Sequence, residues 1–257
     1  YDLSRWNWQR KAKSWKNLDL TIVTPSTWLA RRAKESSLFK NRRIEIIANG
    51  IDTNVYKPVD KKTSRSMLNL SQNKLLILFG AMSPLGDYRK GFHLLQPALQ
   101  NLSKSGWGAK VEIVIFGASK PENPKDLGLK TNYLGYLKDD ISMVLAYSAA
   151  DVMMVPSIQE AFGQTASESL ACGTPVVAFD TSGLKDIVEH QKNGYLARPH
   201  EVEDLAKGII WVLEDEQRRR NLSLRAREKA EEEFSLETQT RAYLKLYEEI
   251  LQKTSSI

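Results

Sequence analysis

Two glutamates, Glu160 and Glu168, flank the dipeptide Phe162-Gly163 within residues 155–180, a stretch of apolar run, polar loop, helix former, Gly-Thr-Pro turn and second apolar run. Paired carboxylates can share acid and base work. On one continuous helix, however, this pair would lie about 12 Å apart along the axis, at about 1.5 Å per residue. With Glu160 in a loop and a helix starting near Gly163 to Thr165, the geometry becomes useful. The amides of Phe162, Gly163, Gln164 and Thr165 are then free donors at a helix N-terminus, aimed at an anion and helped by the helix dipole. Glu168, one turn inside, offers acceptor oxygens suited to the vicinal hydroxyls of a ribose. Glu160 faces whatever is joined to the phosphate. The plainer alternatives are an exposed helix glutamate for Glu168 and a capping or loop residue for Glu160.

Arg89-Lys90-Gly91 is the second chemical element. Two cations beside a glycine can pair with a diphosphate while the glycine admits a close backbone approach. A solvated basic turn is the competing reading, since such pairs are common on surfaces.

These groups need a scaffold, and the sequence alternates strands with helices. Residues 75–79 and 111–116 are continuous apolar runs, the pattern of strands covered on both faces. Shorter strands are predicted at 132–134, 152–155 and 176–179. Helices are predicted at 92–102, 139–148, 202–213, 216–233 and 236–251, with a loop over 80–91. Upstream, a basic helix precedes a strand at 18–25. Ser26 is an N-cap for a helix over 27–36, and a strand at 44–48 ends in the turn Asn49-Gly50-Ile51-Asp52. Pro58 and the polar run 60–66 read as linker or loop. Such alternation implies an α/β fold, a Rossmann-like doubly wound parallel sheet from about Ile44 onward. Ligands of such sheets bind beyond the carboxyl ends of the strands.

With 257 residues, 42% of them hydrophobic, the chain can hold one large or two small domains around a substantial core. No apolar run approaches the ~18–20 residues of a spanning helix. Cys172 is the only cysteine, which excludes an internal disulfide and a cysteine-rich zinc site and fits a reducing, cytoplasmic compartment. The start, Tyr1-Asp2-Leu3, carries neither an initiating Met nor a signal-peptide pattern, so an upstream part is expected. The net charge of +6 attracts nucleotides, phosphorylated lipids or nucleic acid without choosing among them.

Arg5, Arg10, Lys11, Lys13 and Lys16 are interleaved with Trp6, Trp8 and Trp15, as in an interfacial membrane contact. The helical spacing of Trp8, Ala12 and Trp15 favours inward packing instead. His93, His190, His200 and the pair Asp139-Asp140 lack metal-ligand spacing, so no metal site is expected. Gly106-Trp107-Gly108 precedes a strand and is no dinucleotide fingerprint. Cys172, beside Leu170 and Ala171, fits a buried small hydrophobe.

Taken together, Asn49-Gly50-Ile51-Asp52, Arg89-Lys90-Gly91, Glu160-Ala161-Phe162-Gly163 with Glu168 beyond, and Ala171-Cys172-Gly173-Thr174-Pro175 resemble the retaining glycosyltransferases of family 4, the group 1 type with the GT-B fold. The resemblance implies a catalytic set of Glu160, Arg89 and Lys90. In it the basic pair neutralises the donor diphosphate and the departing nucleotide, without a metal or other cofactor. It further implies that Gly135, Tyr136 and Leu137 hold the base through their backbone and that Glu168 binds the ribose. Glu160, Phe162 and Gly163 contact the sugar, and Gly50 lies at the interdomain cleft near the phosphates. Front-face attack is the usual account of retention, so Glu160 is not assigned as a nucleophile.

The implied partners are a UDP-, GDP- or ADP-sugar donor and a glycan or lipid-linked acceptor, with no nucleic acid, as in polysaccharide biosynthesis. The implied location is the cytoplasm, or the inner face of the membrane as a peripheral protein. Residues 1–39 correspond to a remnant of the N-terminal acceptor domain and 40–257 to the donor domain, the last helix packing back on the first part. Many relatives carry an arginine after the glycine that ends the first strand of this domain. Here Ala81-Met82 follows Gly80, leaving Arg89 as a replacement. A binding module without turnover and a sugar-nucleotide epimerase are the alternatives, and the family spacing argues against the epimerase.

Overall fold

In a computed structural model, described for residues 2–80, 86–124 and 126–255, the apolar runs become six parallel strands of one sheet. These are β3 (Leu75–Gly80), β4 (Val111–Phe116), β5 (Lys130–Gly135), β6 (Val152–Val155), β7 (Val176–Phe179) and β8 (Gly194–Ala197), in the order β5-β4-β3-β6-β7-β8. Ile77 of β3 registers with Ile113 of β4 and Val152 of β6. Successive side chains of a strand point to opposite faces. Leu76 and Leu78 therefore pack with one core cluster and Ile77 and Phe79 with another.

Helices α5 (Asp140–Ala149), α6 (Gln164–Ala171) and α9 (Glu216–Glu233) cover the first face, and α4 (Phe92–Leu102) and α8 (Val202–Leu213) the second. Burial on both sides explains why β3, β4, β6 and β7 read as apolar runs, which the half-exposed edge strand β5 does not. The expected doubly wound α/β fold is thus observed. No described helix is long and apolar enough to cross a membrane.

Helix α1 (Leu3–Trp15) leads into β1 (Thr21–Thr24), α2 (Thr27–Glu35) and β2 (Arg43–Ile46). The strand expected near Ile44 to open the large sheet instead pairs with β1, Ile22 opposite Ile44, in a separate two-stranded parallel sheet. Apolar pattern identifies a strand but not its partner, which explains the misplacement. Trp15 stacks on Phe39 at 5.7 Å and Trp8 donates to Ser37 Oγ at 3.0 Å, so the inward side of α1 is the one expected. The packing is shallow, because no residue of α1 is buried. The final helix, α10 (Leu236–Ser255), reaches this unit through an ion pair between Arg43 and Glu249.

The polar run 60–66, expected as linker or loop, is largely helix α3 (Lys61–Met67), capped by Asp60, which accepts from Thr63 N at 2.9 Å. It reads as polar because its inward face is polar. Arg65 is buried and donates to Asp151 Oδ2 at 2.7 Å, to Ala149 O at 2.9 Å and to Lys74 O at 2.9 Å. Asp151, also buried, accepts from Lys61 Nζ at 2.7 Å and from Leu76 N at 2.7 Å. The network ties α3 to the starts of β3 and β6, opposite the edge where ligands of such sheets bind. Strand β8 and the short helix α7 (Leu184–Ile187) were not expected from sequence: β8, Gly194-Tyr195-Leu196-Ala197, opens on a glycine and lacks the β-branched residues of β6 and β7, and α7 is a single turn.

Candidate functional site

Strand order reverses direction between β3 and β6: from β3 the chain steps outward to β4 and β5, and from β6 to β7 and β8. The loops leaving these two central strands lie at the carboxyl edge, where ligands of such sheets bind. Residues 81–85 of the first loop, including the Ala81-Met82 departure, lie outside the described residues. Its later part forms a single 3₁₀ turn, Tyr88–Lys90, capped by Asp87. Gly91 follows at φ +72°, and a Cβ there would lie 1.8 Å from the carbonyl oxygen of Pro156. Only glycine permits that backbone pair to approach so closely in a left-handed conformation. Ile158 N donates to Arg89 O at 2.9 Å beside it, so the loops after β3 and β6 are stitched together.

That stitching sets Lys90 Nζ 2.7 Å from Glu160 Oε1. Their side chains keep only 25% and 17% of their surface exposed, so the pair is shielded on most sides. Arg89 turns away. Its guanidinium grips both oxygens of Asp87, at 3.2 and 2.9 Å, and remains 71% exposed. The structure therefore brings Lys90 to Glu160 but not Arg89, because an acceptor two positions earlier captures the longer side chain. The loop bearing Glu160 is held by Glu160 N donating to Ser182 Oγ at 2.9 Å and by Gly183 N donating to Glu160 O at 3.0 Å.

Helix α6 starts at Gln164, with Gly163 before it at φ +118°. Glu160 thus precedes the helix and Glu168 lies within it, the separation that helical rise requires. No described hydrogen bond occupies the amides of Phe162, Gly163, Gln164 or Thr165. The Phe162 side chain serves the core. Its ring is buried edge-on to Phe234 at 5.6 Å, so only its backbone faces the loop. An aromatic residue beside a glycine looks the same in sequence whether its ring serves a ligand or the core.

Glu168 Oε2 accepts from the fully buried Tyr147 hydroxyl at 2.7 Å. Burial raises the Glu168 pKa above the ordinary carboxylate range, and the bonds from Tyr147 and Gln164 offset only part of that rise. Around it, Tyr56 donates to Asp140 Oδ1 at 2.8 Å, and burial pushes the Cys172 thiol up to about 12. Cys172 is buried, as its apolar neighbours predict. Neither Tyr56 nor Tyr147 was identified from sequence, where each is one tyrosine among nine.

Gly135 ends β5 at φ +70°, its carbonyl accepting from Gly117 N at 2.7 Å, with Tyr136 exposed and Leu137 against the core. These three residues lie at the same carboxyl edge. Gly50 lies against the start of α10, where a Cβ would meet Gln239 Oε1 at 2.6 Å. Its turn is fastened by Ile51 N to Phe234 O at 2.7 Å and by Leu236 N to Ile51 O at 3.1 Å.

Comparison with known proteins places this arrangement. The D-inositol 3-phosphate glycosyltransferase of Rhodococcus erythropolis is 32% identical over 218 residues, covering 80% of this chain and 48% of that protein. The chain spans about half the length of the curated relatives it matches. Sucrose-phosphate synthase from Thermosynechococcus elongatus superposes with a TM-score of 0.78 at 24% identity, covering 98% of this chain and 64% of that one. Anabaena Alr3699/HepE in complex with UDP-glucose gives a TM-score of 0.72 at 25% identity, covering 99% and 69%. The family described as Glycosyl transferases group 1 matches residues 60–229, most of the chain and all six strands of the large sheet, and the chain belongs to it.

Proposed function

We propose that this chain is the donor-binding half of a retaining glycosyltransferase of family 4 that moves a sugar from a nucleotide-diphosphate sugar to a glycan or lipid-linked acceptor. The observation that carries the proposal is the Lys90–Glu160 contact at the switch point, beside a helix N-terminus with Glu168 one turn inside. Lys90 supplies positive charge for the diphosphate as it leaves, the free amides of α6 add dipolar stabilisation, and Glu168 takes the ribose. Glu160 meets the sugar, and the carboxyl edge at Gly135, Tyr136 and Leu137 takes the base. Arg89 contributes only if donor binding draws it from Asp87. A UDP-sugar is the first donor to test, because the Anabaena relative holds UDP-glucose. GDP- and ADP-sugars are the controls.

The expected division at 39/40 is shifted in this proposal: β2 (Arg43–Ile46) pairs with β1, so residues up to 46 go with the acceptor domain and the donor domain begins after them. In this proposal the protein works in the cytoplasm, and a peripheral contact with the inner membrane face runs through the exposed Leu3, Trp6 and Arg10 of α1. Calorimetry with UDP, GDP, ADP and their sugars is expected to show binding of one nucleotide and its sugar. Absence of binding by all of them overturns the donor assignment. Binding without transfer by the full-length protein, across glycan and lipid-linked acceptors, favours a binding module.

Glu168 gives this proposal a pH signature. Its raised pKa means that the carboxylate is lost on acidification sooner than an exposed glutamate would be, so nucleotide affinity begins to fall at a higher pH than an exposed glutamate would give. Tyr147→Phe removes a bond that favours the charged form. The acid limb of affinity against pH is expected to move to higher pH, with a loss of about tenfold at mid-limb. An unmoved limb removes Glu168 from the nucleotide site.

A further inference from the structure

The loop that carries Glu160 is anchored from outside its own domain. Ser26 is fully buried at the N-terminus of α2, where its Oγ accepts from Leu29 N at 3.2 Å and donates to Ala161 O at 2.5 Å. Beside it, Thr27 N donates to Asp186 Oδ2 at 2.6 Å. The Ala161 carbonyl is boxed in from the other side by Gly183, where a Cβ would lie 2.6 Å from that oxygen. Two hydrogen bonds therefore run from the first turn of α2 to the residues just after Glu160 and to the helix behind them. An anionic partner at a helix N-terminus is favoured by the helix dipole, so Asp186 holds α2 by charge as well as by geometry.

We infer that Ser26 is a positioning residue for the transfer reaction, clamping the Glu160 loop against Lys90 from the β1–α2 unit, with Asp186 as the second point of the clamp. Ser26 is fully buried, and its hydroxyl is engaged by Leu29 N and Ala161 O. It fixes the Ala161 carbonyl, and the peptide immediately before it carries Glu160. A carboxylate that must meet a sugar carbon within a fraction of an ångström is sensitive to such support. The inference rests on the proposed function for its catalytic consequence and on the observed contacts for its mechanical one.

Amide hydrogen exchange and kinetics on the full-length protein separate the two. Ser26→Ala is expected to speed exchange at Ile158 and Glu160 by about tenfold, as local opening of that loop becomes easier. It is also expected to lower kcat about tenfold while UDP affinity stays within about twofold, the loss appearing in the transition state and not in nucleotide binding. Asp186→Asn, which keeps an acceptor for Thr27 N but loses the charge, is expected to fall between wild type and Asp186→Ala, and Asp186→Ala to behave as Ser26→Ala. Asp215→Ala removes the cap of α9, whose side chain accepts from Arg218 N at 2.9 Å, and controls for loss of a helix cap alone. It is expected to leave the loop amides and kcat unchanged. Unaltered exchange at Ile158 and Glu160 in Ser26→Ala overturns the inference, as does a fall in UDP affinity equal to the fall in kcat. A wild-type protein without turnover overturns the proposed function instead, and the exchange result still decides the clamp.

Discussion

Lys90→Ala is expected to lower turnover about 10²–10³-fold, the range seen when one preorganised electrostatic donor is removed from an active site. Lys90 sits 2.7 Å from Glu160, and both side chains are shielded, so its charge acts where solvent screening is weak. A nucleoside diphosphate gains negative charge as the sugar departs, and a cation that meets this charge lowers the barrier. Nucleotide affinity is expected to fall as well, because the diphosphate is already charged in the ground state. Glu160→Ala gives the contrasting result, with transfer lost and nucleotide binding kept. Combining the two substitutions isolates their coupling, since Lys90→Ala alone leaves a carboxylate without its counter-ion. Calorimetry with UDP and single-turnover assays read both effects. Unchanged binding in Lys90→Ala removes it from the phosphate site, and full activity in Glu160→Ala removes that residue from catalysis.

The largest expected effect on stability lies at the opposite end of the sheet. Asp151 and Arg65 are 4% and 5% exposed, and Asp151→Ala leaves the guanidinium and the Leu76 amide without their partner. Breaking a buried pair from one side costs about 3–5 kcal/mol. At about 2–4 °C per kcal/mol for a chain of this size, the melting temperature is expected to drop by roughly 6–20 °C. Replacing Asp151, Arg65 and Lys61 together with apolar residues is expected to cost less than Asp151→Ala, because the one cation then left without the carboxylate is Arg219, 3.9 Å from Asp151 and also bonded to Leu213 O.

Burial alone would raise the Asp151 pKa, but Lys61 and Arg65 outweigh it and hold the carboxyl below its ordinary range. A depressed folded-state pKa contributes stability that is complete above the unfolded value, about 3.9, and is lost as pH falls through the lower folded value. Thermal unfolding between neutral pH and pH 2 is therefore expected to show a stability difference between wild type and Asp151→Asn that shrinks only below about pH 4. A difference that fades well above that pH contradicts the assignment.

Much of this architecture was legible because its determinants are local. The runs at β3 and β4 are apolar on both faces, so they identify strands of a covered sheet without reference to any partner. The helix boundary at Gln164 followed from a glycine and from the impossibility of placing both glutamates on one helical face at short range. What failed depended on distant residues. The strand at Ile44 was recognised but given to the wrong sheet, since no local pattern states that it pairs with Ile22. The polar helix α3 looked like a linker because Arg65 finds its counter-charge 86 positions later. Arg89 and Lys90 are neighbours of like charge, and only folding reveals that Asp87 takes one and Glu160 the other. The hydroxyls of Ser26 and Tyr147 likewise gain their meaning from partners 135 and 21 residues away.

The β3–β6 seam also bears on the order in which the protein becomes competent. Strands β3 to β5 and β6 to β8 can each be assembled from crossovers between neighbouring segments, whereas joining the halves closes a gap from Ile77 to Val152. Contacts of long sequence separation carry a loop-closure cost that local ones avoid. Lys90 belongs to one half and Glu160 to the other, so a nascent chain that has formed only the first half holds the cation and lacks the carboxylate. The site is a product of completed topology, and no partly folded fragment carries it.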